Sequence, residues 1–392
     1  MQTTSVNTNK STFAAWFAVA GIALGAFIFN TSEFVPVGLL SLMASDLNTS
    51  ASNMGLIITI YAWCVALFSL PLMLFCTRFS MKNLMLFVVI LFILSHIVTS
   101  FSTNYYMLLF SRIGVACAHA LFWSIATPLA VRVAPQGKEH LAISFVIIGS
   151  SVALLLGIPL GRLIGLFFGW RMSFAIIGIL AFLILLILLK ALPKMPSSGV
   201  ISIKNLPELL KTPHLMGVYL ITACIVTAHF IAYSYIEPFL QIVANFQQNT
   251  ITWTLVAYGS MGFLGSYLFS KYYKTYKNGF LTLAFVGIFF SLLMLELFSF
   301  NAFLLIALCL FWGLCIAMFN LAFQSRLLEL VPIHTAVAMS IYSGIYNVGI
   351  GSGAFFGGGI IELFKIQNLG YFAAILAFIV CIYYKFFFLK RI

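Results

Sequence analysis

Apolar stretches of roughly 20 residues alternate with short polar breaks along the whole chain. Runs at 13–42, 53–76, 83–101, 105–131, 141–167 and 172–192 come first, and runs at 216–243, 252–272, 279–299, 302–325, 335–362 and 369–388 follow. A helix rises about 1.5 Å per residue, so each run can cross the roughly 30 Å of bilayer hydrocarbon once. Between the two sets lies one long polar segment, PKMPSSGVISIKNLPELLKTPH from Pro193 to His214, whose Pro, Ser and Lys content marks a linker. The pattern predicts an all-α membrane protein with twelve transmembrane helices. These form two six-helix, pseudo-symmetric bundles at 1–192 and 216–392, joined by a cytoplasmic connector at 193–215. Within the connector, Ile203–Lys211 is expected to form a short surface helix.

Composition agrees with a lipid environment: 63% of residues are hydrophobic and 7% charged, against about 25% charged in soluble domains. No separate soluble domain fits into what the runs leave over. The net charge of +12 does not point to nucleic acid, because Lys and Arg stand singly or in pairs between apolar runs with no basic face or arm. With the N-terminus in the cytoplasm, all of the 20 Lys and Arg except Arg112, Arg162, Arg171 and Lys365 fall on the cytoplasmic side. The positive-inside rule therefore predicts that both termini are cytoplasmic. The seven cysteines all lie inside apolar stretches without CxxC spacing, so they read as packing or lipid-facing residues. MQTTSVNTNKSTF at the N-terminus carries one Lys and no small-residue cleavage site, and the first helix is expected to be retained.

Of the 8 acidic residues, Asp46, Glu139, Glu208, Glu329 and Glu362 fall in breaks or at run ends, where water solvates them. Glu33, Glu237 and Glu296 lie within runs, where an ionisable group costs about 2.5–3.5 kcal/mol on insertion scales and marks a pathway or a partner. Glu33 and Arg112 sit at matching depths. A carboxylate beside a guanidinium stays ionised, and a movement that separates them lets it take up a proton, which makes the pair a candidate proton-coupling device. Glu237, in AYSYIEPFLQ, is a candidate substrate or proton group, whereas Glu296 lies near the outer end of its run and can snorkel. His119 and His229 fall near the middle of their runs and could carry a proton or bind substrate; His96, nearer an end, reads as structural. No second ligand stands at helical spacing from any of them, so no metal and no cofactor is expected.

Asn30, Tyr61, Trp123, His229, Tyr233, Glu237, Tyr346 and Asn347 form the candidate substrate set. Amides and hydroxyls pair with sugar hydroxyls, and aromatic faces cover the apolar C–H surface of a sugar ring. The fifth run places Gly149, Ala153, Gly157, Gly161, Gly165 and Gly169 four residues apart, and the eleventh repeats the device with Gly349, Gly353 and Gly357. One face of each is nearly bare backbone, open to close approach by another helix. Pro159, between Gly157 and Gly161, adds a bend, so these three residues are candidate packing and gating positions. Glu33 and Glu237 also occupy comparable places in the first and seventh runs, each near a proline, as expected of repeated halves.

The sequence holds no GxxxxGK[ST], HExxH or GxSxG, so neither ATP-driven transport by this chain alone nor hydrolytic chemistry is indicated. FIFNTSEFVPVGLL at 27–40, IYAWCVALFSLPLML at 60–74, SRIGVACAHALFWS at 111–124, LGIPLGRLIGLFFGWRMSF at 156–174 and TAHFIAYSYIEPF at 227–239 resemble the major facilitator superfamily. Within it they resemble the twelve-span drug and sugar proton antiporters of bacteria, and the likeness runs through essentially the whole chain. The resemblance implies that Arg112 takes part in proton transfer and that GIPLG at 157–161 is the fifth-span antiporter motif, with Ile158 between Gly157 and Pro159. Where relatives usually read GxxxDRxGRR, this chain has Thr77 at the Asp position and keeps Arg78 and Lys82 as basic matches. The expected protein is thus a monomeric, multi-pass transporter of the bacterial inner membrane, not an enzyme. It would export sugars or similar small molecules by alternating access around a central cavity, coupled to proton entry through Glu33, Arg112 and His119, with protons and membrane lipids as partners. Export of drugs, amino acids or nucleosides on the same scaffold is the alternative.

Overall fold

The computed structural model describes residues 5–76, 79–193, 212–331 and 335–388, and every regular element among them is helical. In chain order these are α1 Ser5–Asp46, α2 Ala51–Cys76, α3 Met81–Ser100, α4 Tyr105–Val133, α5 Glu139–Val152, α6 Ile158–Phe168 and α7 Trp170–Ala191. The second half continues with α8 Pro213–Tyr233, α9 Ile236–Ile242, α10 Gln248–Leu268, α11 Lys277–Leu293, α12 Ala302–Leu330, α13 Thr335–Phe364 and α14 Leu369–Tyr383. Among the described residues, nine helical segments are long and apolar enough to cross a membrane; α10, α11 and α13 complete the twelve expected runs. The surface helix expected at Ile203–Lys211, and Thr77 and Arg78 of the altered loop motif, lie outside the described residues.

Helix starts follow the polar breaks. Ser80, Asn104 and Asn301 stand just ahead of apolar runs, and their side chains accept the backbone N–H of Asn83, Met107 and Leu304, which satisfies donors the first turn leaves open. At the other end of α7, Lys82 Nζ donates to the carbonyls of Leu189 and Leu192 at 3.0 and 2.5 Å, placing a cation on the negative end of the helix.

Two runs are interrupted. The fifth run carries a π-helical turn over Ala153–Gly157 before α6, next to Pro159, which has no N–H for the regular ladder. The seventh breaks at Ser234 and Tyr235, so that Glu237 falls in the first turn of the short helix α9. The ninth run, expected to continue to residue 299, ends as helix at Leu293 and passes through turns from 294 to 300. There Glu296 accepts the Tyr371 hydroxyl at 2.6 Å, and Asn301 goes on to cap the next helix.

The contacts divide the chain into two compact units, one of Met1–Pro36 with Leu67–Ile201 and one of Val37–Ala66 with Ser202–Ile392. In the first unit the glycine stripe of the fifth run lies on α1: Gly149 against Ala23, Gly157 against Thr31 and Gly161 against Val35. In the second unit the stripe of α13 lies on α8 in the same manner. A Cβ on Gly353 would come within 2.6 Å of the Phe230 Cβ and 2.7 Å of the Thr227 carbonyl, and one on Gly357 within 2.6 Å of the Ile231 carbonyl. Fifth run on first and eleventh run on seventh is the same contact made twice. Phe110, Phe167 and Phe303 are among many large apolar side chains left exposed, a surface that suits acyl chains rather than water.

Candidate functional site

In the first unit the candidate site is built around a defect in α1. Pro36 lies inside this helix and has no N–H to give the carbonyl of Ser32, four residues earlier. Arg112 of α4 takes that place, donating from one terminal nitrogen to Ser32 O at 3.0 Å and from the other to Ser32 Oγ at 3.2 Å. Ser32 Oγ also lies 3.0 Å from His96 Nε2, and His96 Nδ1 lies 2.9 Å from the Phe92 carbonyl. A carbonyl can only accept, so Nδ1 donates to it and a neutral His96 is left to accept the Ser32 hydroxyl proton at Nε2. The result is a directional chain from Arg112 through Ser32 and His96 to the backbone of α3. All three side chains are buried.

Next to this chain, Glu33 Oε2 lies 3.6 Å from His119 Nε2, with both side chains almost fully buried. Arg112 is within electrostatic reach of Glu33, His96 and His119, and its guanidinium carbon stands 5.7 Å from the centre of the Phe174 ring. Phe29 walls the site, stacked at 4.0 Å on Phe92 and 4.2 Å on Phe122. Trp123 sits one turn beyond His119, with ring centres 6.2 Å apart. Asn30 hydrogen-bonds Ser150 on the glycine-striped helix. Glu33, Arg112, His119, Trp123 and Asn30 thus share one unit with Gly157, Pro159 and Gly161. The acid's closest ionisable contact described is His119, whereas the guanidinium spends two donors on Ser32. Arg162, counted above with the outer-side basic residues, is buried within α6.

Tyr61, His229, Tyr233, Glu237, Tyr346 and Asn347 belong to the second unit. Glu237 is buried, and its Oε2 accepts the backbone N–H of Ser41 at 3.0 Å; its place in the first turn of α9 also sets a carboxylate at the positive end of a helix. Tyr235 donates its hydroxyl to the Ala354 carbonyl at 2.8 Å. His229 and Tyr233 stack one turn apart at 4.8 Å. Asn347 donates to the Ser343 carbonyl at 3.0 Å, Tyr346 stands 6.3 Å from Tyr342, and Tyr61 is buried in α2. Among the described residues no group of three or more His, Cys, Asp or Glu could hold a metal ion.

Sequence reasoning missed Ser32 and set His96 aside. One signal was present: a proline four residues after a polar residue in an apolar run frees that residue's carbonyl. The arginine that would claim the carbonyl could not be identified without the fold.

Ionisable groups held at bilayer depth in a multi-pass helical protein are the build of a membrane transporter rather than an enzyme. The chain belongs to the Major Facilitator Superfamily, whose sequence profile matches residues 22–336. It is 43% identical over 375 residues to a protein of Mannheimia succiniciproducens described as a probable sugar efflux transporter, an alignment that covers 96% of this chain and 94% of that one. Its fold matches crystal structures of a bacterial homolog of the human lysosomal transporter Spinster in the inward-facing conformation. For the unoccupied form the TM-score is 0.76 at 16% identity, covering 95% of this chain and 96% of that one. For the occupied form it is 0.75 at 17% identity, covering 94% and 95%. The architecture is therefore the twelve-helix major facilitator fold.

Proposed function

We propose that this protein exports sugars or sugar-like small molecules across the bacterial inner membrane in exchange for protons, by alternating access of two six-helix bundles at 1–192 and 216–392 joined by a connector at 193–215. Both termini are cytoplasmic in this reading, and the working unit is a monomer surrounded by lipid. The sugar substrate is supported by the name of the Mannheimia relative and by the hydroxyl, amide and aromatic character of the candidate substrate residues.

The observation that carries the proton half is the buried Glu33–His119 contact at 3.6 Å beside an arginine anchored on α1. Burying an acid, a base and a guanidinium together stabilises a fold poorly compared with apolar packing, so such a group is retained for what it does. Glu33 takes up and releases the proton, and His119 is the near group to which it can pass. Arg112 supplies a positive charge whose position depends on Ser32, hence on the bend of α1 at Pro36. When α1 flexes, the charge beside Glu33 moves and the proton leaves or enters. The test is accumulation of a labelled sugar in proteoliposomes under an imposed proton gradient. Wild-type protein accumulates it against its gradient, and Glu33→Gln and Arg112→Ala do not. Wild-type rates of accumulation in both variants would refute the assignment.

A further inference from the structure

Four rings of the second unit stand together, two of which the sequence did not single out. His229 stacks on Tyr233 at 4.8 Å and 22°, and Tyr233 stacks on Tyr258 of α10 at 5.0 Å and 27°. Trp312 of α12 stands nearly perpendicular to all three, at 5.1, 6.1 and 5.7 Å from His229, Tyr233 and Tyr258. His229, Tyr233 and Trp312 are buried, and Tyr258 is partly open.

Packed aromatic rings alone would be ordinary core. The difference lies in the polar atoms: among the described residues, His229 Nδ1, Tyr258 OH and Trp312 Nε1 have no hydrogen-bond partner. A buried donor or acceptor left unmade costs roughly 1–3 kcal/mol, and here three fall in one cluster of touching rings. An apolar ligand would leave that deficit in place. A ligand bearing several hydroxyls removes it, because each hydroxyl both donates and accepts: it can accept from Trp312 Nε1 and exchange bonds with the Tyr258 hydroxyl and the free imidazole nitrogen. The ring faces supply the other half, an apolar surface for the C–H side of a sugar. None of the four side chains is a carboxylate, ammonium or guanidinium, and Glu237, the acid four residues after Tyr233 and across the helix break, is held by the Ser41 N–H. A phosphate or carboxylate on the ligand would find no opposite charge among these rings.

We propose that His229, Tyr233, Tyr258 and Trp312 form a subsite for an uncharged sugar ring, its C–H face on the aromatic stack and its hydroxyls on the three unpartnered polar atoms. Tyr258 and Trp312 are the specificity-determining additions, and the subsite rests on the reading of the protein as a sugar exporter.

The test measures binding of isopropyl β-thiogalactoside and arabinose to the purified full chain by calorimetry, with the thermal midpoint of each unliganded variant as the check on folding. Tyr258→Phe removes one oxygen and keeps the ring. Its dissociation constant should rise about five- to tenfold, the scale of one lost hydrogen bond, while the unliganded midpoint stays level or rises because an unsatisfied hydroxyl is gone. Trp312→Phe should weaken binding by at least as much, and galacturonate and galactose 6-phosphate should not compete. If the wild type binds a neutral sugar and Tyr258→Phe binds it equally well, the subsite is wrong and the exporter reading stands. The subsite is equally overturned if Tyr258→Phe lowers only the unliganded midpoint, or if the charged sugars bind as tightly as the neutral ones. If the wild type binds no sugar, the exporter reading falls and the subsite with it.

Discussion

Ser32 is the residue on which the first unit's site turns. It accepts two bonds from Arg112, one on the backbone and one on the side chain, and meets His96. Ser32→Ala leaves a guanidinium N–H and an imidazole nitrogen without that partner. This should cost about 1–3 kcal/mol, read as a lower thermal midpoint than wild type; an unchanged midpoint would show that water or another group takes over. Glu33→Gln keeps the shape of the side chain and removes its proton chemistry. It should retain sugar exchange at equal concentrations on both sides, measured as labelled-sugar counterflow, while losing accumulation driven by a proton gradient. That Glu33, Arg112 and His119 are buried together was foreshadowed in the sequence, because an ionisable group in an apolar run stands out by its cost; their proposed proton role is a separate matter for the transport assays. Ser32, Tyr258 and Trp312 were not foreshadowed, since a serine or an aromatic ring in such a run is cheap and common. Their importance comes from which atoms they meet or fail to meet.

Among the helices, α1 carries a fault at Pro36 whose freed carbonyl is taken by a side chain of another helix. Pro36→Ala would restore an N–H for the Ser32 carbonyl and so compete with Arg112. The variant should be at least as stable as wild type yet slower in proton-driven uptake by about tenfold, the scale of one displaced charged hydrogen bond. Wild-type uptake at higher stability would show that the bend is dispensable. The glycine stripes give a second contrast. Gly353→Val forces a side chain to within 2.6 Å of Phe230 and should destabilise the protein by about 1–3 kcal/mol. Gly359→Ala, where nothing lies within 4 Å, should be nearly neutral; the two thermal midpoints, measured side by side, decide it. Bare helix faces were legible from the spacing of four, which needs only the helical period. Their partners, α1 and α8, were not, because choosing them requires the three-dimensional neighbours. The end of α11 at Leu293 was hidden for a related reason: MLELFSF after it is as apolar as the helix before it, and the turn shows only in its hydrogen bonds.

For the whole molecule, twelve apolar runs in two sets of six were readable from hydropathy, since lipid forces each run to satisfy its own backbone. How contacts apportion α1 and α2 between the compact units was not, because both halves of each helix look equally apolar. The repeated contact of fifth run on first and eleventh on seventh makes the two halves variations on one plan. Their chemistry differs: in the first unit an acid meets a base beside a guanidinium, whereas in the second the buried acid Glu237 is held by a backbone N–H and His229 stands among aromatic rings. In the proposed mechanism the proton is carried in the first unit and the aromatic cluster of the second takes part in sugar recognition, so exchange requires that the two be coupled. The most direct measurement of that coupling loads proteoliposomes with a pH-sensitive dye and imposes only a sugar gradient. Sugar leaving the lumen should acidify it in wild-type vesicles, and the same sugar flow should leave the pH unchanged with Glu33→Gln. Sugar movement through the wild type with no opposing movement of protons, or equal acidification by the variant, would contradict the proposed mechanism.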